Sequence, residues 1–315
     1  MGKFKSALVL SGGAARGLAH IGTIAELDKY NIDFDVIVGT SMGSIIGALY
    51  ALYRNPKKIY EYVYDYLNGE IFQRNWLPVQ EEEASDSGAG FFHRFLINLQ
   101  KSIYYTRSLT RLSLIAPENY EEMINAMFED VMIEEMPVKY GAVAVDLITG
   151  EEVVICSGPL RKAIAASCAI PGVLPPIEID GRMLVDGGGL DNLPIVPALE
   201  LGGSFVVASD ASWDIKDLEL EVRCALDVVF RTNDITRLYL NEIRRSMADL
   251  LIEPRVGHIQ WTEFGRMAEV VSEGRRAARM RLRSLRWKKL QYWFCTLGGM
   301  TARKIPKLPK NIVYL

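Results

Sequence analysis

The chain has 315 residues, 49% of them apolar, which is enough to bury a substantial core and argues against a disordered chain. Its four cysteines, Cys156, Cys168, Cys224 and Cys295, lie far apart with no C-x-x-C pair, so neither a zinc knuckle nor a disulfide framework is indicated and a reducing, cytoplasmic setting fits. The net charge of -3 hides a split: 12 of the 36 Lys and Arg lie in residues 274–315, where no Asp or Glu occurs, leaving 24 basic against 39 acidic residues before them, so a body of -15 precedes a tail of +12.

Residues 5–10 read as a buried strand, too short an apolar run for a secretory signal. The opening M-G-x-x-x-S formally matches a myristoylation pattern, but that pattern is short and needs a eukaryotic transferase. A glycine-rich turn follows at residues 11–17, then a helix over 18–30, a strand over 34–38 and a helix over 44–54. This β-turn-α-β-turn-α rhythm predicts a parallel sheet. No residue from Val36 to Tyr53 is charged, yet Gly39, Thr40, Ser41, Gly43 and Ser44 break the stretch, so strand, tight turn and buried helix explain it better than a membrane span.

Residues 56–135 are mainly helical in pattern and rich in aromatics such as Tyr66, Phe72 and Trp76, with an acidic, Gly- and Ser-containing loop at 81–90. Core packing accounts for these aromatics; an apolar cap over a lipid-binding groove is the sharper reading. Residues 140–146 and 151–156 form two strands joined at Thr149-Gly150, a hairpin pattern, and 160–169 a small-residue helix closed by Pro171-Gly172. Strands over 182–185 and 204–209 each end at an aspartate.

Gly39-Thr40-Ser41-Met42-Gly43 is a G-x-S-x-G sequence between an apolar strand and a helix, the context of a nucleophile elbow. Gly39 and Gly43 remove side chains where strand and helix meet, so the Ser41 hydroxyl projects toward a helix N-terminus that favours developing negative charge. A glycine-rich turn whose serine caps the helix is the bland alternative. The earlier turn Ser11-Gly12-Gly13-Ala14-Ala15-Arg16-Gly17 fits neither the G-x-G-x-x-G nor the P-loop template, which leaves a nest of N–H groups serving as an oxyanion hole. A serine nucleophile needs a base. His258 has the late chain order of a hydrolase triad, whereas His20 reads as packing and His93 falls in the cap. Asp146, Asp186 and Asp210 stand at strand ends, with Asp191 close behind; burial raises the basicity of such a carboxylate. Asp186 is followed by Gly187-Gly188-Gly189, which lets backbone pass close by.

Together these motifs resemble the patatin-like phospholipase family. Its G-G-G-x-R/K-G oxyanion turn matches Gly12-Gly13-Ala14-Ala15-Arg16-Gly17, its elbow Gly39 to Gly43, and its D-G-G/A Asp186-Gly187-Gly188; the Ser-Ala-rich run into Ala169-Ile170-Pro171-Gly172 is also similar. The likeness covers roughly residues 6–210. Ala14 replaces a third glycine, and because alanine resists positive φ a right-handed conformation is expected there. The resemblance implies a three-layer α/β/α sandwich with a mostly parallel sheet, a helical cap at about 56–135, and a C-terminal helical appendage. It also implies a histidine-free Ser41–Asp186 dyad, an oxyanion held by Gly12, Gly13 and Ala14, a structural His258, no cofactor or metal, and a phospholipid or related acyl ester as substrate. An acyltransferase or a non-catalytic membrane-associated regulator are the rival functions. The domain expected over 1–274 is followed by a basic, aromatic tail over 275–315. For a lipid hydrolase that tail suits an anionic membrane surface, placing the protein at the periphery of a membrane, rather than nucleic acid.

Overall fold

The computed structural model describes residues 5–76, 112–212, 225–282 and 312–315. One sheet is built from β1 (Ser6–Leu10), β2 (Val36–Thr40), β3 (Lys139–Asp146), β4 (Glu152–Ile155), β5 (Ile177–Ile179), β6 (Arg182–Asp186), β7 (Phe205–Ser209), β8 (Leu250–Ile252) and β9 (Ile312–Tyr314). The order is β5-β6-β3-β2-β1-β7-β8, with β4 paired to β3 and β9 to β4. The centre is parallel, β3-β2-β1-β7-β8, while β3–β4, β3–β6 and β5–β6 run antiparallel. Continuous apolar strands such as Ser6–Leu10 and Val36–Thr40 are buried along their whole length, as a sheet covered on both faces requires.

The helices are α1 (Ala19–Asp28), α2 (Met42–Tyr53), α3 (Pro56–Asn68), α4 (Pro117–Met127), α5 (Leu160–Cys168), α6 (Ile195–Glu200), α7 (Ala225–Arg245) and α8 (Met267–Leu282). Strand alternation divides the core between two layers. Leu8, Leu10 and Ile37 face α1, α2, α5 and α8, whereas Ala7, Val9, Val36 and Val38 face Ile195, Val196 and Ala198 of α6. The fold is therefore the expected three-layer α/β/α sandwich.

Helix α8 lies directly on α1, and glycines set the distance. A Cβ on Gly274 would fall 1.9 Å from the Ala19 carbonyl oxygen, and one on Gly22 1.9 Å from that of Val271. Val270, Val271, Ala278 and Leu282 are buried in the same contact, each large aliphatic contributing roughly 1.5–3 kcal/mol. The boundary expected after Gly274 thus falls inside a helix, and residues 275–282 belong to the α/β body. At the other end of the tail, β9 joins the sheet beside β4. Residues 283–311, which carry most of the basic and aromatic cluster, lie outside the described residues, as do the 81–90 loop and His93.

Of the cap aromatics, Phe72 and Trp76 are core residues. Their rings stack at 5.8 Å, and Trp76 meets Trp261 edge-on at 5.6 Å.

Register brings the chemistry together. Thr40, the last residue of β2, pairs with Val143, and Asp186, the last residue of β6, pairs with Ala144. Strand β6 thus takes up the edge of β3 one residue beyond the point where β2 leaves it, so Ser41 and Asp186 emerge side by side.

Candidate active site

Ser41 sits between β2 and α2 with φ 53° and ψ -126°. A non-glycine residue held there stores strain of about 1–3 kcal/mol and persists only where its surroundings fix it. Here the Ser41 N–H donates to Ser167 Oγ at 3.0 Å, and Ser167 Oγ donates to the Val143 carbonyl at 2.7 Å. The Ser41 carbonyl accepts from Ser44 Oγ at 2.6 Å and from the Ser44 N–H at 2.8 Å. The flanking glycines are obligatory. A Cβ at Gly39 would lie 2.3 Å from the Gly43 carbonyl oxygen, and one at Gly43 2.2 Å from that of Leu10. Seating the elbow this tightly against β1 puts the start of α2 behind the serine.

The carboxyl of Asp186 is buried beside the Ser41 hydroxyl. Burial pushes its pKa up to about 6, against the opposing pull of Ser41, the Gly188 N–H and, at longer range, Arg237. The Gly188 N–H donates to Asp186 Oδ1 at 2.8 Å, which fixes the carboxylate while leaving it without a guanidinium contact among the described residues. The other aspartates are committed elsewhere. Asp146 binds Arg182 at 3.0 Å, Asp191 binds Arg244 at 2.7 Å and Asp210 binds Arg245 at 2.6 Å. No described histidine takes the place of Asp186. His20 is fully buried between the Ser11 carbonyl, to which Nε2 donates at 2.8 Å, and Ser209 Oγ. Burial lowers its pKa to about 4, so it stays neutral. His258 is exposed and pairs with Glu269 at 3.0 Å.

Counting N–H groups resolves the glycine-rich turn. That of Gly12 donates to the Asn192 carbonyl at 3.1 Å, that of Ala15 to the Trp261 carbonyl at 3.0 Å and that of Arg16 to the Gly13 carbonyl at 3.0 Å. Those of Gly13 and Ala14 have no partner among the described residues. The expectation that Gly12 holds an oxyanion is therefore corrected: its N–H is spent on the scaffold. Its lack of a side chain serves packing instead, since a Cβ there would lie 2.5 Å from Asn192 Oδ1 and 3.3 Å from Ser41 Cβ. Gly17 closes the far end, where a Cβ would fall 2.6 Å from Met42 Cβ. Ala14 corrects a second expectation. Its φ is 47°, left-handed rather than right-handed, so the turn keeps the backbone path of a third glycine at a cost of about 1–2 kcal/mol.

The sequence profile of the family described as patatin-like phospholipase matches residues 8–199. The chain belongs to the patatin-like phospholipase family. Among curated relatives, an uncharacterized NTE family protein of Mycobacterium tuberculosis is 33% identical over 202 residues, covering 64% of this chain and 48% of the relative. A lysophospholipase NTE1 of Candida albicans is 25% identical over 331 residues, covering 98% of this chain and 22% of the relative. The chain thus spans about half the length of the mycobacterial protein and a smaller share of the fungal one. Among solved structures, VipD from Legionella pneumophila gives a TM-score of 0.46 at 13% identity, covering 90% of this chain and 67% of VipD.

Three residues of this patatin-like site escaped the sequence reading. Ser167 holds the elbow N–H, Asn192 holds the glycine-rich turn, and Cys168 is buried beside the Ser41 and Ser44 hydroxyls, its Sγ 3.8 Å from Ser44 Oγ. Burial pushes the Cys168 thiol up, so it stays protonated and acts as a small apolar wall. The Ser-Ala-rich run before Ala169 was the one visible signal for Ser167 and Cys168. Among the described residues, no helix is long and apolar enough to cross a membrane.

Proposed function

We propose that the protein is a serine lipid acyl hydrolase working through a Ser41–Asp186 dyad. The observation that carries this reading is the buried Asp186 carboxyl beside the Ser41 hydroxyl, with its pKa pushed up to about 6. A carboxylate of that basicity is ionised at neutral pH yet is a better proton acceptor than one in water. Asp186 takes the Ser41 proton as Oγ attacks the ester carbonyl carbon. The tetrahedral oxyanion faces the Gly13 and Ala14 N–H groups and the N-terminus of α2. The protonated Asp186 then delivers its proton to the departing alkoxide, leaving Ser41 acylated. Water, deprotonated by the same carboxylate, attacks the acyl-enzyme and releases the fatty acid and a free serine.

Family membership and relatives named lysophospholipases support a phospholipid or lysophospholipid acyl ester as substrate. Tail residues Arg283, Arg286, Lys288 and Lys289, interleaved with Leu285, Trp287 and Leu290, suit an anionic lipid surface, each near-surface charge adding on the order of 1 kcal/mol. The decisive experiment is Ser41→Ala, assayed with short p-nitrophenyl esters and a fluorophosphonate probe. Loss of both turnover and labelling in a folded protein is expected; turnover that persists rejects the dyad. Adding an alcohol acceptor and analysing products separates hydrolysis from acyl transfer, and absence of labelling in the unmodified protein would favour a non-catalytic regulator.

A further inference from the structure

Behind the dyad lies a second set of ionisable groups that the reaction does not consume. Asp191 is fully buried, Glu152 on β4 is 5% exposed and Arg244 on α7 is 6% exposed. Arg244 Nε lies 2.7 Å from Asp191 Oδ1 as an ion pair, and that oxygen accepts a hydrogen bond from the Leu193 N–H at 3.2 Å. The Glu152 carboxyl meets that of Asp191. With both acids ionised, Asp191 Oδ2 and Glu152 Oε1 are buried oxygens with no donor. Two carboxylates out of water against one guanidinium leave an uncompensated buried charge, so one proton stays. Burial pushes both acids up, but Arg244 lies against Asp191 and favours its charged form, so Glu152 is the acid that keeps the proton. The further charged or titratable groups facing it are Glu200 on α6 and Tyr314 on β9, whose hydroxyl bonds Glu200.

The main chain that Asp191 anchors is where the three site motifs meet. The Asp191 carbonyl accepts from Thr40 Oγ1 at 2.8 Å, one residue before Ser41. The Asn192 carbonyl accepts from the Gly12 N–H at 3.1 Å, at the root of the oxyanion turn. The Asp191 N–H donates to the Gly187 carbonyl at 2.8 Å, one residue after Asp186.

We propose that Asp191 is a positioning residue for the reaction, clamped by Arg244 and by a protonated Glu152, so that one buried neutral cluster sets elbow, oxyanion turn and catalytic aspartate in register. This rests on the Ser41–Asp186 reading. Because the clamp acts on geometry and not on substrate, loosening it lowers kcat and leaves KM in place. Above the Glu152 pKa the cluster becomes a net anion and the two carboxylates repel. The folded protein therefore loses stability progressively from the ordinary glutamate range upward into alkaline pH.

The test measures kcat, KM and melting temperature from pH 5.5 to 9.5 for the full chain and for Asp191→Asn, Glu152→Gln, Arg244→Gln and Arg244→Lys. Asp191→Asn is expected to lose roughly a hundredfold in kcat with KM within about twofold. Arg244→Gln follows it, and Arg244→Lys recovers part of the loss. Glu152→Gln supplies a neutral donor; it keeps the neutral-pH rate within about twofold and flattens the alkaline fall in melting temperature. Native kcat in Asp191→Asn, or a Glu152→Gln melting profile parallel to that of the unchanged chain, overturns the proposal. Should Asp191→Asn fail to fold, the Glu152→Gln profile alone decides. Ser41→Ala run alongside separates the two failures: if it loses turnover while the clamp variants behave as the unchanged chain, the dyad stands and the clamp falls.

Discussion

Among the described residues, three strands lead into a buried aspartate, and the surroundings give them opposite characters. At the ends of β3 and β7, burial alone would raise Asp146 and Asp210. Yet Asp146 gains N–H groups, the Thr149 hydroxyl and Arg182, while Asp210 gains Arg245, Ser212 and Asn241, and both are held below the ordinary range. At the end of β6, Asp186 has one backbone N–H and a serine hydroxyl, and burial wins, lifting it to about 6. A neutralised carboxylate is a structural tie; one left short of partners has the basicity that the proposed dyad needs.

The sharpest way to break this comparison is Asp186→Asn. The amide orients the Ser41 hydroxyl but cannot take its proton, so kcat should fall by about two to four decades. Native turnover would hand the role to Asp146, Asp210 or a histidine. In the unchanged chain, kcat/KM should decline as pH drops through about 6, because the base is then protonated. Stability moves the other way. A carboxyl raised in the folded state contributes most below its unfolded pKa, and the contribution is lost as pH rises toward about 6. Asp186→Asn should therefore be more stable than the unchanged chain at pH 7–8, by on the order of 1–3 kcal/mol, with the gap closing below pH 4. Melting curves across pH measure this.

Arg245→Ala probes the other side. It strips Asp210 of its guanidinium and leaves a buried charge, which should cost about 3–5 kcal/mol in denaturant unfolding. The surviving folded fraction should keep its turnover per labelled Ser41, since Asp210 does not touch the serine. A large loss of turnover at constant stability would mean that the β7 end takes part in the chemistry.

The two ends of the chain differ in how far the sequence disclosed them. Near the N-terminus, short strand, glycine-rich turn and helix follow one another, so β1, α1, β2 and α2 were legible within a few residues. The β3–β4 hairpin and α5 were legible for the same reason: local turn chemistry agrees with local pattern. The elbow at Ser41 and the turn after Asp186 were legible as backbone features because glycines that a crowded turn requires stand around the first and after the second. Strands β8 and β9 have three residues each, too few for a periodic signal, and they form because a neighbouring edge offers hydrogen bonds. Charge counting misplaced residues 275–282, since a helix with arginines outside and Gly274, Ala278 and Leu282 inside has the composition of a basic tail. The tail test follows from that finding. Cutting at Gly274 would strip packing from α1, so the cleaner variant changes Arg283, Arg286, Lys288 and Lys289 to Gln. It should weaken binding to anionic vesicles at low salt roughly tenfold or more while sparing soluble ester turnover; equal binding would reject the membrane role.

A smaller effect is expected at Ala14. Glycine there relieves the left-handed strain of about 1 kcal/mol but widens the unfolded ensemble by a similar amount. Stability should change by less than about 1 kcal/mol, and kcat should hold because the N–H groups of residues 13 and 14 keep their directions. A tenfold change in kcat would show that the turn follows a different path during the reaction.

The smallest effect tests whether an imidazole competes with Asp186 at all. His258 comes late in the chain, as a triad histidine would, but its ring is on the surface, where Nε2 meets Glu269 Oε1 at 3.0 Å. Glu269 has a second partner, since both of its oxygens also bind Arg266, at 2.8 and 2.9 Å. Losing the imidazole therefore leaves that carboxylate paired. His258→Gln should give the same kcat, KM and acid limb as the unchanged chain within about twofold. If it instead lost three decades of turnover with its melting temperature unchanged, the loop at 257–261 would have to reach Ser41 during catalysis. The carboxylate comparison would then describe only the resting protein.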